Sequence, residues 1–153
     1  MQGWTMKRLS ARLLAVTLCL LAFACLASSP LLTLQSALLS LDGARAHSAT
    51  YFVHSPTCFA REKQTLSFTD LPFVQGEKVV YRVEDGADFA QSVLSILSAS
   101  VLWQEEVEGA ICYYAAAESL SRAVLVGGEK VNLHIVVKAD EVVIGTPIIF
   151  GGY

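Results

Sequence analysis

Hydrophobic and polar positions follow three different rules along this chain, and each rule predicts a different element. The first rule is uninterrupted apolarity. From Leu13 to Leu41, LLAVTLCLLAFACLASSPLLTLQSALLSL, no residue carries a charge. A helix through residues 13–34 would reach about 33 Å at 1.5 Å per residue, enough to cross a bilayer core. Lys7, Arg8 and Arg12 precede the run, and only Asp42 and Arg45 follow it closely. Positive charge stays in the cytoplasm, so the chain beyond residue 42 is expected outside. The expected division is a basic cytoplasmic start (1–12), a transmembrane anchor or signal segment (13–41), a polar linker (42–50) and an extracytoplasmic domain (51–153). Two fates stand for the run: a single-pass anchor, or a signal peptide whose removal leaves a secreted protein. The small-residue exits are Ala22-Phe23-Ala24 and Ala44-Arg45-Ala46, and a lipidated Cys25 is a third variant. Cutting at the first exit would leave Leu31 to Leu41 as an apolar tail, which favours the anchor.

The second rule is alternation, the third a period near 3.6. Tyr51-Phe52-Val53 begins a β-type stretch that Pro56 ends, and residues 57–65 show no clear period. Gln75-Gly76-Glu77 reads as a turn. Lys78 to Glu84 alternates as a strand, with Val79, Tyr81 and Val83 on the core side. From Asp88 to about Ser100 the spacing changes: Phe89, Val93, Leu97 and Val101 recur every fourth residue, with Ala90, Leu94 and Ile96 widening the stripe. Val101–Val107 and Ala110–Ala117 form a hairpin around Glu108-Gly109, and Ala123–Val126 turns at Gly127-Gly128. Val131–Lys138 alternates again, placing Val131, Leu133, Ile135 and Val137 inward and Asn132, His134, Val136 and Lys138 outward. Val142–Ile144 follows, and Gly145-Thr146-Pro147 breaks the ladder before Ile148-Ile149-Phe150. The expected fold class is α+β: an antiparallel meander packed against one main α-helix, preceded by the N-terminal transmembrane or signal segment.

Charge narrows the function classes. Residues 47–153 hold seven Lys/Arg against thirteen Asp/Glu, about −6. A phosphate backbone needs clustered positive charge, so nucleic acid is not an expected partner. Cys19 and Cys25 lie in the apolar run. Cys58 and Cys112 could form a disulfide outside the cell, or remain two buried thiols on separate strands. His54-Ser55-Pro56-Thr57-Cys58 gathers reactive residue types, and an envelope enzyme using Cys58 or His134 is the alternative function; a base for Cys58 would come from His47 or His134. Glu105, Glu106 and Glu108 fit a charged edge strand that discourages pairing better than they fit a cation loop. Gly127-Gly128-Glu129-Lys130 lacks phosphate-loop spacing. No motif calls for a cofactor or a metal.

VNLHIVV at 131–137 and VVIGTPIIFGGY at 142–153 resemble the end of the YwmB family of Gram-positive Firmicutes. The likeness covers about 25 residues well and 86–107 loosely, and its most specific pieces are Asn132-Leu133 and Gly145-Thr146-Pro147. It implies a membrane or signal segment at the start and a curved antiparallel sheet backed by helices, likened to the TATA-box-binding protein. It carries no catalytic residues. The function expected is a non-enzymatic, membrane-tethered or secreted envelope domain that binds an envelope protein or a wall partner. Its candidate binding surface is Asn132, His134, Gly145, Thr146 and Pro147.

Overall fold

The computed structural model describes residues 14–22, 34, 38, 46–55, 58–67 and 69–149, with backbone alone at 55, 58 and 59. Lys7, Arg8, Arg12, Cys25, Pro56 and the terminal residues 150–153 lie outside the described residues. Nine strands form: β1 (Ala46–Ser55), β2 (Cys58–Lys63), β3 (Val74–Arg82), β4 (Ser100–Val107), β5 (Ala110–Ala116), β6 (Val124–Val126), β7 (Glu129–Val131), β8 (Leu133–Val137) and β9 (Glu141–Thr146). One α-helix, α1 (Gly86–Ile96), connects β3 to β4. The class is α+β, as the alternation and the helical stripe predict.

Seven strands make one antiparallel sheet in the order β2-β1-β3-β9-β8-β5-β4, while β6 and β7 form a separate hairpin. The simple meander is therefore corrected. After β3 the chain crosses by way of α1 to the far edge, and β4, β5, β8 and β9 return step by step until β9 pairs with β3. The last strand, β9, thus lies in the middle of the sheet beside β3.

Local chemistry accounts for the helix. Asp85 caps it, its side chain accepting from Asp88 N–H at 3.0 Å, which satisfies one of the donors a helix start leaves open. Ala90, Val93, Leu94 and Leu97 are buried against the sheet, whereas Ile96 is exposed and Val101 belongs to β4. One face of the sheet supplies Val79, Tyr81, Tyr113, Ala115, Leu133, Ile135, Val142 and Ile144 to the same core.

Two further residues join that core: Leu34 and Leu38, both helical, 0% and 2% exposed. They are one helical turn apart, so they present one face. Leu34 and Leu38, from the later part of the uncharged run, therefore pack in the same core as the sheet. By contrast, the helical stretch 14–22 exposes Leu14, Val16, Leu18, Leu20 and Leu21. No helix among the described residues is long and apolar enough to cross a membrane.

Three other readings change. β1 starts at Ala46, inside the span read as linker. Residues 58–63 form β2, whose charged sequence hid a strand pairing on one side only. Gln75-Gly76-Glu77 is not a turn but part of β3, with Phe52 opposite Gly76 and Tyr51 opposite Glu77. The Gly127-Gly128 turn is present, at φ +61° and +93°, and β4 is indeed an edge strand carrying Glu105 and Glu106.

Candidate functional site

The face of the sheet turned away from α1 carries a row of rings. In antiparallel register Trp103 stands opposite Tyr114, Tyr114 opposite His134, and His134 opposite Gly145. Directly opposed side chains share a face, and here they stack: Trp103 on Tyr114 at 4.5 Å between centroids, Tyr114 on His134 at 4.4 Å, both at 14°. The Tyr114 hydroxyl donates to Glu105 Oε1 at 2.8 Å. Beyond His134 the row ends at Gly145, because the chain folds back over it after the cis Thr146–Pro147 bond. A Cβ at Gly145 would lie 2.6 Å from Ile149 Cγ1 and 2.8 Å from Ile149 N, so only glycine admits this approach. Ile149 N–H then points to His134 Nδ1 at 3.4 Å, and Ile149 packs with Cys112, Val136 and Val143.

This explains why the outward face of β8 is not solvated. Val136 is fully buried and His134 is 2% exposed, because β8 is an interior strand whose second face is also covered. Burial pulls the His134 imidazole down to about 4, against the opposing pull of Glu105. A neutral, sealed imidazole accepting a backbone N–H holds the C-terminal return in place; it is not open to a substrate.

Asn132, between β7 and β8, serves a different purpose. Its Oδ1 accepts from Ala117 N–H, and its Nδ2 donates to Ala117 O and Leu120 O, all at 2.8 Å. One side chain thereby fixes the loop that follows β5, whose Ala117 and Leu120 enter the helix-side core. Thr146 points to that same core side, opposite Glu77. Pro147 is buried. The five candidate binding residues are thus neighbours in space, but all are buried and they divide between the two faces; they do not form one open surface.

The sheet order separates the two cysteines. β2 and β5 are five strand positions apart, about 24 Å at about 4.8 Å per step, against a disulfide reach of about 7 Å between Cα atoms. Cys112 is buried in the second core, and the Cys58 side chain lies outside the described residues. Cys58 and His134 sit on strands four positions apart, about 19 Å by the same spacing, so the order does not assemble a thiol–imidazole pair. His54 is exposed on β1. Among the described residues no group of three or more His, Cys, Asp or Glu is placed to hold a metal ion.

One residue of consequence runs against the turn that Gln75-Gly76-Glu77 suggests. Glu77 is fully buried. The signal was present: the core-facing alternation Val79, Tyr81 continues backward to position 77, but the preceding Gln75-Gly76 suggested a turn. Comparison with known protein families, curated proteins and solved structures finds no match.

Proposed function

We propose that this chain is a non-enzymatic domain of the cell envelope, similar in kind to the YwmB family, held to the membrane by its N-terminal segment or secreted once that segment is removed. Its task on this reading is to bind an envelope protein or a wall partner. The observation that carries the proposal is the helical stretch 14–22. Its five large apolar side chains are each 56–64% exposed. Such a surface is costly in water and favourable in acyl chains or in an export channel. The basic residues before it, against the single Arg45 soon after the run, support the outward orientation. An antiparallel sheet covered by helical residues on one face supports the family comparison, and the excess of carboxylates argues against a phosphate-backbone partner.

A reporter fused after Tyr153, active only outside the cytoplasm, tests the orientation: activity is expected. Signal from the cytoplasmic form of the reporter alone would refute the reading. Crosslinking in live cells addresses the partner, and recovery of cytoplasmic proteins only would count against an envelope role.

A further inference from the structure

Glu77 is the most anomalous side chain among the described residues. It is fully buried, and neither carboxyl oxygen has a hydrogen-bond partner. Thr146, directly opposite on β9, is also buried with its Oγ1 unpartnered. Groups left this way are rare because each lost hydrogen bond to water is uncompensated.

Among the described residues, those that face Glu77 offer it no counter-charge. From β1 the opposing residue is Tyr51, and from β9 it is Thr146. On β3 itself Tyr81 shares the face, its phenol pushed up to about 12 by burial and by Glu77. Lys78 is next in sequence but belongs to the other face. α1 turns Ala90, Val93 and Leu94 to the core, and its one acidic residue, Asp88, is exposed in the first turn. Leu34 and Leu38, which join Val79 and Tyr81 in the core on the face that Glu77 shares, add only hydrocarbon. A carboxylate in this place would be an unpaired charge in an apolar layer, whereas a carboxylic acid is merely a poorly satisfied polar group.

We propose that Glu77 is a proton-binding switch: α1, Leu34 and Leu38 seat on the sheet only while this carboxyl is neutral, and its ionisation loosens them. The proposal does not depend on the compartment in which the domain works.

The direction of the effect follows from linkage. Burial pushes Glu77 up to about 8 from the usual carboxylate range, while in the unfolded chain it titrates near about 4.3. Between those values the folded state holds a proton that the unfolded state lacks. This group therefore makes stability fall as pH rises through the window, by about tenfold in the folding equilibrium per pH unit, and has no further effect above it.

The test uses the full chain in detergent solution. Carbon-13 spectra of the glutamate carboxyls, with Glu77→Gln to assign the signal, should show one carboxyl still protonated at neutral pH and titrating above it. A Glu77 signal titrating in the ordinary carboxylate range overturns the proposal. Denaturant midpoints measured from pH 5 to 8 should fall more steeply for the native chain than for Glu77→Gln; equal slopes overturn it. Should Glu77→Gln not fold, amide hydrogen exchange of the native chain decides. Protection at Leu34 and Leu38 should be lost at lower pH than protection in β8, and simultaneous loss throughout rejects a loosening of the helical layer.

Discussion

Leu18 and Leu38 come from one uncharged run, yet Leu18 is 58% exposed on a helical stretch and Leu38 is 2% exposed in the core of the sheet. The residue type is the same and so is the local conformation. What differs is whether a complementary apolar surface exists nearby. Val79, Tyr81, Val93 and Ile144 provide one for Leu34 and Leu38, while the described residues provide none for 14–22. Apolarity specifies removal from water without specifying the solvent that replaces it.

The sharpest way to break the contrast is truncation. A chain beginning at residue 23 should still unfold cooperatively, whereas one beginning at His47 lacks two core leucines and should show no thermal transition by circular dichroism. Equal behaviour of the two would erase the distinction. Next in size, Leu38→Asp and Val93→Asp each bury a charge and should cost more than about 4 kcal/mol, against less than about 0.5 kcal/mol for Leu18→Asp, read from denaturant midpoints. Leu34→Ala should cost about 2–5 kcal/mol through the cavity it leaves; a neutral result would remove Leu34 from the core. Asn132→Ala attacks the same core through its loop and should cost about 1–3 kcal/mol by stranding Ala117 N–H, visible as faster exchange at Ala117. Smallest is Asp85→Ala, about 1 kcal/mol, which removes the cap of the helix beside those leucines.

Much of this fold is legible in the chain. Lys78–Glu84 and Val131–Val137 alternate cleanly because one face of each meets helices and the other does not meet the same partners. Residues 86–96 show their stripe because α1 has one wet side. The rest depends on information that no local window holds. Leu34 and Leu38 read equally well as membrane or core, since both reward the same side chains, and only the finished sheet distinguishes the two. β2 hides because a single-sided edge strand tolerates Arg61, Glu62 and Lys63. Alternation places His134 on the face away from α1, but no local pattern shows that Ile149 folds back over Gly145 and covers that face. Asn132 acquires its role only when the backbone of residues 117 and 120 arrives beside it. Glu77 was obscured by its glycine neighbour.

The outer strand β4 has a consequence for behaviour in crowded surroundings. An open sheet can template its own growth, copy upon copy, into fibrils wherever a bare strand offers its backbone. Two copies meeting along β4 would bring Glu105 and Glu106 of each toward the other's carboxylates at the seam. Repulsion across that seam opposes such pairing, which is how a charged edge strand can stay uncovered without seeding deposits.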